Sequence, residues 1–310
     1  MTKIDLITGF LGAGKTTFIR RYVQYLMARG YRVGIVENDF GAVNVDMMLF
    51  QDLVGDQCDI EMIAGGCDED CHRRRFKTKL IAMGMLGYDR VIVEPSGIYD
   101  TDEFFDVLRE DPVDRWFEPG SVITVVDAGM DPKLSQESQY LFATQLATAG
   151  KVVFSHTGNC GEERQRQTCG LMNRVMEDSG VSAKWDMSDI LRKPWEQWGE
   201  DEFAQILNAG YHTRVVKKLW FDQSRNYSSV YIMNRPVAED RLKDIVRGLF
   251  EDPACGTIFR IKGFVSGQEG WLQLNATRDK TSLIPIAQGQ EIIVVIGEQL
   301  VEEKIRAYWG

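Results

Sequence analysis

A glycine-rich segment near the start of the chain has the residue types and the spacing of a phosphate-binding loop. Residues 9–17, GFLGAGKTT, match GxxxxGK followed by Ser or Thr, between an apolar strand and an amphipathic helix. Glycines let backbone N–H groups curl around phosphates, and the helix adds roughly half a positive charge at its N-terminus. Lys15 is expected to reach the β and γ phosphates, and Thr16 to ligate Mg²⁺. The sequence therefore predicts a nucleoside triphosphate site formed by Gly12, Ala13, Gly14, Lys15, Thr16 and Thr17.

Hydrolysis also requires a carboxylate near the metal and a group that senses the γ-phosphate. Glu94 ends an apolar strand, and Gly97 follows it three residues later. We expect Glu94 to hold a magnesium-bound water and the Gly97 N–H to meet the γ-phosphate. Asp39 follows the second strand and is the candidate for orienting an attacking water. The predicted catalytic residues are Lys15, Asp39, Glu94 and Gly97. The alternatives are a surface acid at Glu94 and a turn-forming residue at Asp39.

A second candidate site lies in the segment Cys67-Asp-Glu-Asp-Cys71-His72. If the segment is helical, its two thiols share one face, and an imidazole and three acids lie beside them. Thiolates with imidazole suit Zn²⁺, Co²⁺, Ni²⁺ or iron, whereas the acids alone favour Mg²⁺ or Mn²⁺. Cys67 and Cys71 are the primary candidate ligands, and Cys58 and His72 are the secondary ones. A redox-active thiol pair, or no special role, remains the alternative.

The elements that position these residues follow a βαβ pattern in the first half of the chain. Short Val- and Ile-rich runs predict parallel strands at Lys3 to Thr8, Arg32 to Glu37, Arg90 to Glu94, Ser121 to Asp127 and Lys151 to Ser155. Each run ends in polar or glycine-rich residues, where open α/β sheets bind ligands. The predicted fold class is α/β: a P-loop domain with a mainly parallel sheet flanked by helices.

A smaller domain follows the nucleotide-binding domain. The pattern weakens from Ser179 to Val215, which we interpret as the connecting segment, and from Lys217 strands and helices alternate in an α+β arrangement. The predicted domains are therefore residues 1–215, connection included, and residues 216–310.

Composition excludes several classes of protein. The formal net charge of −10 argues against general binding to nucleic acid or to anionic membranes. The sequence contains no run of 18 apolar residues and no cleavable signal at its N-terminus, so we expect a cytoplasmic protein without a membrane span. Reduced thiols are the rule in the cytoplasm, so the six cysteines are not expected to form disulfides.

In combination, the motifs resemble those of the CobW family of P-loop GTPases, which is grouped with the UreG and HypB nickel-insertion GTPases. The matching segments extend over nearly the whole chain. They are GFLGAGKTT, Asn38-Asp39-Phe40-Gly41, Glu94-Pro-Ser-Gly97, Val125-Val126-Asp127-Ala128, Gln145-Leu-Ala-Thr-Ala, Arg260-Ile-Lys262-Gly263 and Val295-Ile-Gly297.

The resemblance implies a function and a set of partners. It implies a Mg²⁺-dependent nucleoside triphosphatase, with GTP favoured, that acts as a metallochaperone or metal-cofactor maturation factor. The cargo would be a transition metal such as Zn, Co, Ni or Fe. A client metalloenzyme or a corrinoid-type protein is the implied partner, and a homodimer stays open. The second domain would be the CobW C-terminal domain.

The base-recognition segment departs from the family pattern. The family usually has Asn-Lys-x-Asp after its late strand, and the Asp accepts hydrogen bonds from guanine. This chain has Ser155-His156-Thr157-Gly158, so the carboxylate is absent at the matching position. Ser155 and His156 are the candidates for a different base contact. Because unpaired guanine N–H groups reduce discrimination, ATP remains an alternative to GTP.

The metal motif departs as well. The family commonly has Gly-Cys-x-Cys-Cys, whereas this chain retains Cys67, has Glu69 at the middle cysteine and displaces the last one to Cys71. Two alternative functions therefore stay open. One is a nucleotide-switched module that binds a client without metal cargo, and the other is an ATP-using P-loop enzyme.

Overall fold

The computed structural model describes residues 1–39, 46–64, 69–220, 226–267, 270–278 and 280–309, and of residues 39, 46–48, 64 and 69–70 the backbone alone. The chain divides into two compact units, Met1–Leu219 and Trp220–Gly310. None of the helices in the described ranges is both long and apolar enough to cross a membrane.

The first unit alternates strands and helices along the chain. Its strands are β1 (Thr2–Thr8), β2 (Val33–Asp39), β3 (Cys58–Ala64), β4 (Arg90–Pro95), β5 (Phe117–Asp127), β6 (Lys151–Ser155) and β7 (Ile190–Leu191). Its helices are α1 (Lys15–Ala28), α2 (Glu69–Gly84), α3 (Thr101–Leu108), α4 (Gln136–Thr148), α5 (Glu162–Asp178) and α6 (Glu200–Leu207). A 3₁₀ helix at Asp46–Leu53 precedes β3.

These strands form one sheet in the order β3-β2-β4-β1-β5-β6-β7, and every pairing is parallel. β1 is central, with Leu6 in register with Val93 of β4 and Val122 of β5. Apolar side chains cover both faces of the sheet, as the continuous Val and Ile runs predict. The predicted parallel sheet flanked by helices is confirmed.

The second unit is a five-stranded antiparallel sheet with helices in the same hydrophobic core. Its elements are β8 (Tyr227–Met233), α7 (Glu239–Glu251), β9 (Thr257–Gly267), β10 (Gly270–Thr277), β11 (Lys280–Ile286), β12 (Ile292–Glu298) and α8 (Glu302–Ala307). The strand order is β11-β10-β9-β12-β8. The predicted α+β composition of this part of the chain is confirmed.

The stretch interpreted as a connecting segment, Ser179 to Val215, has more structure than its sequence pattern predicts. It supplies β7 to the sheet and forms α6, and Trp195 packs edge-on against Phe18 of α1 with ring centroids 5.8 Å apart. Its tryptophans and charges alternate without a clear period because only a few side chains face the core.

A buried ion pair joins the central elements of the sheet. Asp5 of β1 is fully buried and accepts hydrogen bonds from Arg90 of β4 at 2.6 and 2.7 Å. The Tyr22 hydroxyl of α1 donates to Asp5 at 2.9 Å, and the Ser121 N–H of β5 donates at 2.7 Å. Burial raises the pKa of Asp5, and the Arg90 guanidinium opposes this shift. The pair therefore ties together the strands that carry the phosphate loop and Glu94.

Replacing Arg90 by Met should leave the Asp5 carboxylate buried without its counter-charge. We expect the free energy of unfolding to fall by about 3–5 kcal/mol. Urea denaturation followed by circular dichroism measures this loss.

Arg115→Met is the matched control, because Arg115 pairs with Asp111 and both side chains are at least 66% exposed. The control should cost less than about 1 kcal/mol. Equal losses of unfolding free energy in the two variants would show that the Asp5–Arg90 pair contributes no more to stability than an exposed ion pair does.

Candidate nucleotide-binding site

The phosphate loop lies at the carboxyl end of the central strand β1 and leads directly into α1. Gly9, Gly12 and Gly14 have φ angles of 147°, 80° and 93°, which favour glycine. A Cβ on Gly9 would lie 2.3 Å from the Val125 carbonyl oxygen, so only glycine fits this approach to β5. The loop conformation thus depends on residue types that the sequence motif specifies.

The N-terminus of α1 is built to receive an anion. Gly14 is its N-cap and provides no side-chain hydrogen bond to the helix, and the turn beginning at Lys15 has no acidic residue. Backbone N–H groups at such an end lack intrahelical partners and suit phosphate oxygens. The Lys15 ammonium lies across the loop and donates to the Gly9 carbonyl at 3.0 Å. This geometry fits the phosphates of a nucleotide.

Oxygen ligands for a hard cation meet beside the loop. The Thr16 hydroxyl donates to the Glu94 carboxylate at 2.8 Å, and both residues are buried. Glu37 of β2 is also buried and lies in register with Glu94 on the neighbouring strand. Hydroxyl and carboxylate oxygens are the donors that Mg²⁺ prefers, so these residues fit the ion. Sequence reasoning missed Glu37, although its position near a strand end was a usable signal.

The loop after β4 packs directly on the phosphate loop. A Cβ on Gly97 would lie 2.6 Å from the Leu11 backbone nitrogen. Gln145 of α4 is fully buried, and its amide donates to the Gly97 and Tyr99 carbonyls at 3.2 and 3.4 Å. The Gln145 segment is one of the motifs that carry the family resemblance, but its sequence assigns no role to this side chain. Its role in the structure is to hold the Gly97 loop against the phosphate loop.

The same loop is anchored at its far end by a charged cluster. Asp100 caps α3 by accepting from the Asp102 N–H at 3.1 Å. Its other oxygen accepts from the Tyr140 hydroxyl and from the Lys218 ammonium, each at 2.8 Å. The Gly97 loop is therefore joined to the last residues of the first unit.

The side chains of two predicted site residues, Asp39 and Cys67, lie outside the part of the chain that the structure describes. Asp39 ends β2 in register with Ala64 of β3, but its side chain lies outside the described residues. Cys67 belongs to residues 65–68, which also lie outside them. The catalytic role of Asp39 and the ligand role of Cys67 stay predictions.

The structure does not bring Cys58 to Cys71. Cys58 begins β3 and Cys71 follows its other end, about 20 Å further along the strand. Met83, near the end of α2, lies against Gly34, which is in register with Asp59, so α2 runs back from Cys71 toward Cys58. The structure therefore does not support the prediction that Cys58 is an additional metal ligand beside Cys71. Its thiol is buried instead, and burial raises its pKa to about 11.

The other candidate ligands lie in the first turns of α2. Cys71 is half-buried, and His72 is buried with 2% of its surface exposed. Within the described part of the chain, no group of three or more His, Cys, Asp or Glu side chains is arranged to hold a metal ion. A metal site at α2 would therefore need at least one ligand whose side chain lies outside the described residues, such as Cys67.

The predicted base contacts flank the phosphate loop. Ser155 ends β6, and its Cβ lies 3.8 Å from where a Gly14 Cβ would be. His156 has a left-handed backbone (φ 54°), and its Nδ1 lies 2.8 Å from Asp127 Oδ2. The structure thus brings Ser155 to the phosphate loop, and His156 follows it in the chain. A base contact by either residue stays a prediction.

Trp195 is a further neighbour of this site that sequence reasoning did not assign. Its ring lies 3.2 Å from the position of a Gly14 Cβ, and 9% of its surface is exposed. The Trp195 carbonyl accepts from Arg21 of α1 at 3.3 Å. The sequence offered no signal for this placement, because β7 and its place at the edge of the sheet are decided by the tertiary structure.

Comparison with known proteins identifies related sequences. A family model described as the CobW/HypB/UreG nucleotide-binding domain matches residues 3–180. The zinc chaperone CobW of a Sinorhizobium species is 30% identical over 343 residues, covering 98% of this chain and 88% of that protein.

Two relatives from Escherichia coli (strain K12) match over a shorter stretch. The zinc chaperone YjiA is 30% identical over 169 residues, covering 51% of this chain. The zinc chaperone YeiR is 26% identical over 167 residues, covering 54% of this chain. The alignments span 50% of the length of each relative.

Among solved structures, the Zn(II)-bound YjiA GTPase from E. coli is similar. It is 20% identical, with 99% of this chain and 98% of that chain covered and a TM-score of 0.38.

The contact between Gly97 and Leu11 predicts the effect of a methyl group. In Gly97→Ala the new Cβ would press on the phosphate-loop backbone, and displacing a catalytic group by about 1 Å costs about a hundredfold in rate. We expect turnover of nucleoside triphosphates, measured by phosphate release, to fall by about that factor.

Gly161→Ala is the control, since no described heavy atom lies within 4 Å of its Cβ position. Its turnover should equal that of the wild type. Equal turnover rates in the two variants would contradict the conclusion that the contact between Gly97 and Leu11 shapes the nucleotide site.

Proposed function

Because the chain belongs to the CobW/HypB/UreG family, we propose that it is a Mg²⁺-dependent nucleoside triphosphatase that delivers a transition metal to a client protein. The observation that carries the nucleotide half of this proposal is the Thr16–Glu94 hydrogen bond, 2.8 Å long, at the end of the phosphate loop. GTP is the favoured substrate, and the cytoplasm is the proposed location.

Each residue of the site has a proposed task. The loop amides and Lys15 bind the phosphates, and Thr16 and Glu94 would hold Mg²⁺. The ion would supply charge neutralisation of the β and γ phosphate oxygens. The Gly97 N–H senses the γ-phosphate, and Asp39 orients the attacking water.

The metal half of the proposal rests on the connection between β2 and α2. Asp39 at the end of β2 and Cys71 in α2 belong to one stretch of chain, which also contains Cys67. A change at the γ-phosphate can therefore alter the arrangement of the thiols, as in switch segments. Zinc is the proposed cargo because the related proteins are named zinc chaperones. The client would be a metalloenzyme or a corrinoid-type protein.

Zinc affinity should depend on the bound nucleotide. We expect the zinc Kd of anaerobically purified protein to differ by about tenfold between the GDP form and the form with a non-hydrolysable GTP analogue. Competition with a chromophoric chelator measures both values. The Cys67→Ser/Cys71→Ser variant should lose this binding, because a hydroxyl is a poor zinc ligand.

Cys160→Ser is the control, since Cys160 is only half-buried and lies after β6, far along the chain from α2. Equal zinc affinities in the two nucleotide states would rule out the coupling. Undiminished zinc binding in the double variant would favour a nucleotide-switched client-binding module without metal cargo.

Mixed use of GTP and ATP is the second candidate, and one observation favours it. Gly158 stands where the family has the guanine-reading Asp. Among described residues, no heavy atom lies within 4 Å of its Cβ position, so an Asp can be placed there.

Gly158→Asp should therefore install a guanine acceptor. We expect the ratio of mant-ADP to mant-GDP dissociation constants to rise by about tenfold or more, because a carboxylate pairs with the guanine N–H donors. Fluorescence titration measures the ratio.

Gly161→Asp, the same change three residues further along the chain, is the control and should leave the ratio unaltered. If the ratio of dissociation constants were similar in both variants, the base would bind away from Gly158.

A further inference from the structure

We propose that Asp127 determines which nucleobase edge the site accepts, by fixing the tautomer of His156. This inference rests on the proposed function, because it requires a nucleotide on the phosphate loop. It makes Asp127 a positioning residue and His156 the residue that contacts the base.

The location of His156 supports this assignment. Asp127 and Ser155 end neighbouring strands, β5 and β6, in register with each other. Ser155 lies beside Gly14 of the phosphate loop, and His156 follows it. In doubly wound sheets, ligands lie outside the carboxyl ends of the strands. A nucleotide with its phosphates on the loop therefore has its base within reach of the His156 ring.

The backbone of His156 is also specialised. Its φ and ψ of 54° and 23° place it in the left-handed region, which few residues other than glycine adopt. Its carbonyl accepts from the Asn159 N–H at 2.9 Å and closes the turn after β6. About a third of the imidazole, 34%, is exposed, so the ring is both held in place and accessible to a ligand.

The hydrogen bonds of Asp127 specify where the imidazole proton lies. Asp127 Oδ1 accepts from the Gly129 N–H at 2.8 Å, and Oδ2 lies 2.8 Å from His156 Nδ1. An ionised carboxylate only accepts hydrogen bonds, so Nδ1 must donate. In the neutral ring Nε2 then carries the lone pair and is an acceptor. Among the residues that the structure describes, none is hydrogen-bonded to Nε2.

Nε2 of the neutral His156 ring favours bases that offer an N–H donor. Nε2 can receive one hydrogen bond from an N–H group on the base, such as guanine N1–H or the adenine amino group. It therefore replaces part of what the missing carboxylate would do at Gly158. The site should accept guanine and adenine nucleotides and reject a purine nucleotide that lacks such a donor.

Asp127→Asn reverses this preference without changing the size of the side chain. The amide oxygen can keep the hydrogen bond from Gly129, and the amide nitrogen then donates to Nδ1. The imidazole proton must move to Nε2, which becomes a donor. Asp131→Asn is the matched control, because exposed Asp131 accepts from the Lys133 N–H at 2.9 Å in a similar turn.

Nitrogen-15 NMR of histidine-labelled protein tests the tautomer directly. The chain contains three histidines, and His156→Asn, which tolerates a left-handed backbone, assigns the His156 signal. We expect the neutral ring to carry its proton on Nδ1 in the wild type and in Asp131→Asn, and on Nε2 in Asp127→Asn. A wild-type proton on Nε2, or no change in Asp127→Asn, would overturn the proposal.

Displacement of mant-GDP by GDP, ADP and purine riboside 5′-diphosphate tests base recognition. In the wild type, the purine riboside nucleotide should bind about tenfold more weakly than GDP or ADP, because it leaves the acceptor unpaired. That difference should disappear in Asp127→Asn and persist in Asp131→Asn. Equal binding of all three nucleotides to the wild type contradicts the proposal.

Phosphate release at saturating GTP separates this inference from the proposed function. If the protein selected between bases but did not hydrolyse GTP, only the proposed nucleoside triphosphatase activity would be contradicted. Hydrolysis with no selectivity against the purine riboside nucleotide would contradict the role of Asp127 alone. Failure of every nucleotide to bind would overturn both.

Discussion

The parallel pairing of β1 with β4 on one side and β5 on the other is the constraint on which the site depends. It brings the carboxyl ends of three strands to one edge of the sheet. The phosphate loop follows β1, Glu94 lies in β4 and Asp127 ends β5. Groups that are far apart in the chain therefore surround one position. The Gly9 backbone can lie against Val125 only because these strands are in this register.

Polar groups inside the sheet serve two different purposes. The Asp5–Arg90 pair lies within the strands, and Asp5 also accepts hydrogen bonds from Tyr22 and Ser121, so the pair joins β1, β4, β5 and α1. Thr16 and Glu94 at the carboxyl edge are buried as well, with oxygen atoms that suit a cation. Burying such groups costs free energy unless they are paired, so the edge of the sheet carries function at the expense of stability.

The loops around the phosphate site are held by side chains from distant elements. Gln145 fixes the Gly97 loop, and Asp100 links its end to Tyr140 and Lys218. Lys218 is close to the end of the first unit at Leu219. A movement of the Gly97 loop would therefore reach the last residues of this unit through hydrogen bonds and an ion pair. This chain of contacts would give the proposed nucleotide-dependent switch a physical route.

The sequence by itself determined the phosphate loop, the α/β class and the residues at the ends of the main strands. These features depend on contiguous residues: glycines at fixed positions, a lysine, and runs of Val and Ile that bury both sides of a strand. Only the tertiary structure decided that Cys58 lies far from Cys71, that Gln145 is hydrogen-bonded to the Gly97 loop, and that Trp195 lies beside Gly14. Those facts depend on strand order and register, which bring together residues that no local pattern connects. The pairing of Asp127 with His156 is of the same kind, because it exists only where β5 and β6 end side by side.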